Sequence, residues 1–260
     1  MDISKELRLA VLIDADNVPY SNIKGMLEEM AKYGTPTFKR IYADWTKPTV
    51  SGWKTVLLEN AISPVQQYSY TSGKNSTDSA MIIDAMDILY SGRVDGFCLV
   101  SSDSDFTKLA TRLREAGMKV FGFGEKKTPT SFIAACNKFI YIEILTTREA
   151  KIETVKSPSK LANKNAAAGS QTVVSAPSIL KVDKDLVKLI KASINDIADE
   201  NGWAFLGDLG NFLLKKQPNF DSRNYGFSKL LSLIKSIGQF EIDERESGKK
   251  NIRHVYVKTK

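Results

Sequence analysis

From Arg8 to Glu143 the chain alternates two kinds of apolar run. "RLAVLIDAD" (8–16), "PTFKRIYADW" (36–45), "SPVQQYSY" (63–70), "VDGFCLVSS" (94–102) and "KVFGFG" (119–124) are short and bounded by turn-forming residues, the pattern of strands. Between them, "VPYSNIKGMLEEMAKYG" (18–34), "SGWKTVLLENAI" (51–62) and "SDFTKLATRLREAGM" (104–118) carry apolar residues at helical spacing. "STDSAMIIDAMDILYSG" (76–92) predicts a long, almost wholly buried helix, capped by Ser76 or Thr77 and stopped by Gly92. "TSFIAACNKFIYIE" (130–143) reads as a final helix and tail. Strands that are apolar throughout imply a parallel sheet covered on both faces. The expected class is therefore α/β, a doubly wound parallel sheet.

The pattern lapses over residues 149–180, which have no aromatics and no sustained period and are rich in Ala, Ser, Lys and Pro. That composition predicts a flexible linker between a first domain at 1–148 and a second at 181–260. The second reads as three helices, in 182–202, 204–220 and 224–237, followed by two strands in 239–258 joined by a charged hairpin at Gly248. Three helices and a β-ribbon form a small winged-helix-like α+β domain, a module built to touch nucleic acid.

Charge sharpens this division. Residues 1–148 hold 18 Lys and Arg against 17 Asp and Glu, whereas residues 181–260 hold 15 against 11. The basic excess thus gathers at the C-terminal end, which fits a polyanionic partner and ordinary surface charge equally well. The only histidine is His254, so no Ser-His-Asp triad, Cys-His pair or histidine-held zinc can be built in the first domain. Cys98 and Cys136 sit in apolar stretches and are expected as buried free thiols. No segment approaches the roughly 20 apolar residues of a membrane span, and the N-terminus lacks a secretory pattern. The expectation is a cytoplasmic protein with no membrane partner.

With His and Cys excluded, chemistry in the first domain falls to carboxylates. Asp14 and Asp16 stand at one predicted strand end, Asp103 and Asp105 at another, where open α/β sheets bind ligands. Clustered carboxylates repel unless a cation or proton joins them, and oxygen-only clusters suit Mg²⁺ or Mn²⁺. The competing expectation is helix capping, strongest for Asp105 before "FTKLATRL" and weakest for Asp14. Asp78 lies in the first turn of its helix; Asp84, on another face, reads as a structural carboxylate. "SGKNST" is no phosphate loop, because Asn75 follows Lys74 and Tyr68 stands where the first glycine belongs. Lys74 can still meet a phosphate as a point charge. "GFGEK" (122–126) lies too late in the sheet to be a dinucleotide loop.

"VLIDADNV", "RIYADWT", "SYTSGKNSTDSAMIIDAMD", "VSSDSDFTKLATRLREAGMKVFGFG" and "TSFIAACNKFIYIE" together resemble a bacterial NYN domain of the PIN-like nuclease superfamily, over roughly the first 145 residues. The resemblance implies a metal-dependent ribonuclease whose products end in 3′-hydroxyl and 5′-phosphate. It implies a site set of Asp14, Asn17, Asp78, Asp103 and Asp105, with Asp14, Asp78 and Asp103 as its core and Asn17 as a polar orienter. Ser101 and Ser102 would donate to a phosphate. Asn137 departs from the pattern, standing where relatives have Asp. Residues 200–242 resemble a LOTUS (OST-HTH) domain through Gly202-Trp203, Gly207, Gly210 and Arg223-Asn224-Tyr225-Gly226. Such modules imply RNA as a partner and, in some proteins, a helicase. On that resemblance Lys215, Lys216, Arg223, Tyr225 and Lys229 are candidate RNA contacts, while Tyr225 and Trp203 read equally well as packing.

Two other functions fit the same residues. One is a non-catalytic RNA-binding adaptor. The other is a haloacid-dehalogenase-type phosphatase, with Asp14 as covalent nucleophile and Asp16 as general acid.

Overall fold

The computed structural model describes residues 6–68, 76–145, 179–246 and 253–260. Its first unit is a six-stranded, all-parallel sheet in the order β3-β2-β1-β4-β5-β6. The strands are β1 (Arg8–Asp14), β2 (Thr35–Ala43), β3 (Ser63–Gln66), β4 (Gly96–Val100), β5 (Lys119–Gly124) and β6 (Lys138–Tyr141). Helices α1 (Ile23–Met30), α2 (Trp53–Asn60), α3 (Ser76–Tyr90), α4 (Thr107–Glu115) and α5 (Thr130–Ala135) connect them. The doubly wound expectation holds.

Two parts of the pattern read differently in three dimensions. The expected tail after residue 136 is the sixth strand, too short for its alternation to stand out. Helix α3 is not wholly buried: Thr77, Met81, Ala85 and Ile88 face the sheet, whereas Ile83 and Tyr90 are exposed. Its apolar composition hid an ordinary one-sided helix.

Alternation along each central strand sorts side chains into two cores. Leu9, Val11 and Ile13 of β1, with Cys98 and Val100 of β4, meet α1 and α2. Ala10, Leu12, Phe97 and Leu99 meet α3, α4 and α5. Both cysteines are free and buried. In β5 the missing side chains of Gly122 and Gly124 make room for the Phe139 ring, which would otherwise lie 2.4 and 2.9 Å from a Cβ. These glycines are packing devices, in keeping with their exclusion as a nucleotide loop.

The second unit has helices α6 (Lys184–Ile197), α7 (Leu206–Lys216) and α8 (Leu230–Ile237). A three-stranded antiparallel sheet completes it, ordered β7 (Ala204–Phe205), β9 (Arg253–Thr259), β8 (Phe240–Glu246). The expected ribbon is β8 and β9; β7 adds a two-residue strand that no run of residues announces. Leu186, Ile190, Leu209, Leu213, Leu233, Phe240 and Val257 form its core. Most of the expected linker, residues 149–178, lies outside the described residues. Leu180, at its end, donates its N–H to the carbonyl of Asn224.

The segment before α8 touches the first unit. Arg223 donates through both terminal nitrogens to the Glu29 carboxylate, each at 2.8 Å, and is braced by Asp221. The Phe139 N–H, on edge strand β6, donates to the Pro218 carbonyl at 2.9 Å, and Asn219 donates to the Tyr141 hydroxyl at 2.8 Å. Burial alone would raise the Glu29 carboxyl, but hydrogen bonds from Arg223, Lys32 and Tyr33 override it and hold it at about 2. A depressed carboxyl stabilises the fold fully above its ordinary value of 4.5, and that contribution is lost as pH falls toward 2. Glu29→Gln is therefore expected to cost about 2 kcal/mol at neutral pH in urea unfolding, with a smaller deficit below pH ~4.

Candidate functional site

The strand order reverses between β1 and β4, so their connections leave in opposite directions and open a crevice at the carboxyl ends. Asp14 is the last residue of β1 and shares the parity of Ala10 and Leu12, so it faces the α3 side. Ser101 follows β4 with the parity of Phe97 and Leu99 and meets it there. The Ser101 hydroxyl donates to Asp14 Oδ2 at 2.8 Å. Asn17 Nδ2 donates to the same oxygen at 2.6 Å, and the Asp16 N–H to Oδ1 at 3.1 Å. Asp14 is only 1% exposed, and burial pushes its carboxyl up while these donors oppose the shift.

Asp78, in the first turn of α3, lies at this crevice, and Asp84, six residues further along, ties the same helix to β2. Asp84 accepts from Arg40 and from the buried Tyr42 hydroxyl. That accounts for Asp84 as a structural carboxylate. Burial first, and then the charges of Asp14, Asp103, Asp105 and Asp16, push the Asp78 carboxyl up to about 6.

Asp103 follows the two serines. Its Oδ1 accepts the Asp105 N–H at 2.9 Å, capping the short turn Ser104–Phe106 that leads into α4. Asp103, not Asp105, is the cap. Carboxylate oxygens of Asp78, Asp103 and Asp105 lie within 4.8 Å of one another, and no other such group occurs among the described residues. An all-oxygen trio at that spacing fits a hard divalent cation. The trio contains Asp105 where Asp14 was expected; Asp14 sits behind it, its oxygens already taken by three donors.

Other expected residues fall differently. Ser101 donates its hydroxyl hydrogen bond to Asp14 and accepts the Asp103 N–H at 3.1 Å, so it orients two of the acids. Ser102 is buried and accepts the Glu125 N–H at 2.9 Å. Asp16 is exposed. Lys74 lies outside the described residues. Asn137 accepts the Val120 N–H at the opposite end of the sheet, so its departure from Asp does not touch the crevice. On the second unit, Lys215 and Lys229 are exposed. Lys216 pairs with Asp196 at 2.6 Å, Arg223 is committed to Glu29 and Asp221, and Tyr225 packs against the core beside Phe220. Arg223 thus bridges to the first unit, and for Tyr225 the packing alternative is the one its surroundings favour. Glu29 was missed; its only signal was an acid beside Met26 and Met30 on the buried stripe of α1.

A parallel α/β sheet with acidic residues gathered at its switch point is the arrangement of PIN-like domains. Residues 8–143 match the family model of the NYN domain, and residues 177–252 match that of the OST-HTH/LOTUS domain. The chain belongs to the NYN domain family, and its C-terminal part carries an OST-HTH/LOTUS domain. No curated protein matches the chain. Among solved structures, a protein of unknown function from Vibrio parahaemolyticus is 21% identical with a TM-score of 0.46, covering 55% of this chain and 96% of its own. An uncharacterized protein from Nitrosomonas europaea is 32% identical with a TM-score of 0.29, covering 38% of this chain and 92% of its own.

A carboxyl raised to about 6 destabilises the fold as pH climbs from its ordinary value of 3.8 through 6. With Asp78 partly open to solvent, the screened effect is about 1 kcal/mol. In EDTA, Asp78→Asn is expected to raise the unfolding midpoint at pH 8 and to leave it unchanged at pH 3.5, as thermal unfolding at the two pH values will show.

Proposed function

We propose that this chain is a Mg²⁺- or Mn²⁺-dependent endoribonuclease that hydrolyses RNA phosphodiesters at the β1/β4 crevice, with RNA delivered by the LOTUS domain. The convergence of Asp78, Asp103 and Asp105 in front of a buried Asp14 carries this reading. PIN-like membership and an RNA-binding module support it. Asp78, Asp103 and Asp105 would hold the cation. A bound divalent ion supplies positive charge for the phosphate oxygens and a lowered pKa for attacking water.

The remaining groups keep the acids in place. Asn17 and Ser101 fix the Asp14 carboxylate, and Asp14 in turn sets the charge felt by Asp78. The Asp103 cap locks the 103–106 turn, and the Asp84 clamp sets the position of α3. Hydrolysis adds water across the P–O3′ bond, so the fragments carry a 3′-hydroxyl and a 5′-phosphate.

The test is a labelled single-stranded RNA with Mn²⁺, Mg²⁺ or EDTA. Cleavage with metal is expected, falling at least ~100-fold in Asp103→Asn and Asp105→Asn, while Asp16→Asn retains most of it. RNA bound but uncut under every metal condition overturns the nuclease reading in favour of a non-catalytic adaptor. Loss of turnover in Asp16→Asn comparable to that in Asp103→Asn points instead to phosphatase-type chemistry.

A second expectation concerns α3. Asp84→Ala is expected to lower cleavage at least ~10-fold and to weaken Mn²⁺ binding, since the helix that presents Asp78 loses both its Arg40 and Tyr42 anchors. Calorimetric titration with Mn²⁺ separates this from a pure loss of stability.

A further inference from the structure

The two faces of the small β7-β9-β8 sheet are built from different residues. Ala204, Phe240 and Val257 point inward and are buried in the core of the second unit. Register places Phe205 opposite Tyr256, Asp243 opposite Tyr256, Arg245 opposite His254 and Glu241 opposite Lys258, all on the outer face. Trp203, two residues before Phe205, continues that face. The outer face of an antiparallel sheet is ordinarily polar when water covers it. Here it carries Trp203, Phe205, His254 and Tyr256 as one cluster. The Phe205 ring lies 5.4 Å from His254 and 5.7 Å from Tyr256. Trp203, Phe205 and Tyr256 all remain partly exposed, and none belongs to the core packed on the other face.

Cations are laid over these rings. The Arg245 guanidinium lies 4.2 Å from the centroid of Tyr256 and 5.5 Å from that of Trp203, and Lys258 Nζ lies 5.9 Å from Trp203. Arg245 also pairs with Asp243 at 2.8 Å, with both side chains about 40% exposed. An ion pair so open to water is worth little, and a phosphate can take the place of Asp243.

We infer that this outer face is a stacking platform for single-stranded RNA, with bases lying on Trp203, Tyr256 and the Arg245 plane and phosphates meeting Arg245 and Lys258. Aromatic rings interleaved with cations recognise unpaired bases in this way. A duplex hides its base faces and would leave the rings without partners. The inference rests on the reading that the LOTUS domain binds RNA, and it moves the contact surface from the helical residues to the sheet. The helical set has lost Arg223 to Glu29 and Tyr225 to the core, and Lys216 is engaged by Asp196.

The experiment is fluorescence anisotropy of the full chain in EDTA with a fluorescein-labelled unstructured RNA of about 12 nucleotides, beside a blunt duplex of equal length. Trp203→Ala and Tyr256→Ala are expected to weaken single-strand binding roughly 5- to 100-fold, the range for losing one stacked base, while Tyr256→Phe stays within about threefold. Arg245→Ala, outside the buried core, is expected to weaken binding as well and serves if an aromatic variant fails to fold by circular dichroism. Folded variants that bind as tightly as the wild type overturn the platform and leave the RNA-binding reading standing, the more so if Lys215→Ala or Lys229→Ala abolishes binding. A wild-type preference for the duplex also overturns it. So does concentration-dependent self-association that Tyr256→Ala removes while RNA affinity is kept. Wild-type chain that binds no RNA overturns both the platform and the RNA-binding reading it rests on.

Discussion

The repulsion among carboxylates at the β1/β4 reversal is the constraint around which the first unit is arranged. Four acids from three separated segments are brought together where low dielectric magnifies their mutual charge. The fold meets that cost with specific donors. Asn17, Ser101 and the Asp16 amide are spent on Asp14, and the Asp105 amide on Asp103. Asp78 has the least help, and its raised carboxyl marks where the balance is unmet. A divalent cation would relieve that imbalance, which gives the proposed metal site an electrostatic ground beside that of family membership. The clamp of Asp84 on Arg40 and Tyr42 belongs to the same problem, since it keeps α3 from relieving the repulsion by moving away.

Much of this was legible in the sequence because it depends on local pattern. Apolar runs ending at "DADN" and "SSDSD" mark strand ends, and strand ends in a parallel sheet mark the ligand crevice. Asp84 could be set apart from Asp78 by helical spacing alone. What stayed hidden depends on partners far along the chain. The hydrogen bond from Ser101 to Asp14 joins residues 87 positions apart and leaves no local signal. Asp105 reads as the cap until the hydrogen bond shows that Asp103 fills that role. The strand β6 was read as tail because four residues are too few to display a period. Helix α3 looked wholly buried because composition does not say which way Ile83 and Tyr90 point.

The second unit shows the same limit more sharply. Arg223 and Tyr225 lie in a stretch that matches the LOTUS pattern, and charge plus aromaticity made them natural RNA contacts. The pairing of Arg223 with Glu29, 194 residues away, is visible only in three dimensions. The outer face of the small sheet was equally hidden. Trp203, Arg245 and Tyr256 are scattered over more than fifty residues and become neighbours only through strand register.

The contact of Phe139 with Pro218 has a consequence for how the chain can be divided. Strand β6 is the open edge of the large sheet, and an open edge invites pairing with another molecule. The LOTUS segment covers part of that edge, and Arg223 satisfies a carboxylate that is otherwise buried. Cutting the chain after residue 145 therefore does more than remove an RNA-binding accessory. It uncovers a strand donor and leaves Glu29 without its Arg223 partner, so the NYN half alone presents an open edge that the whole chain partly covers.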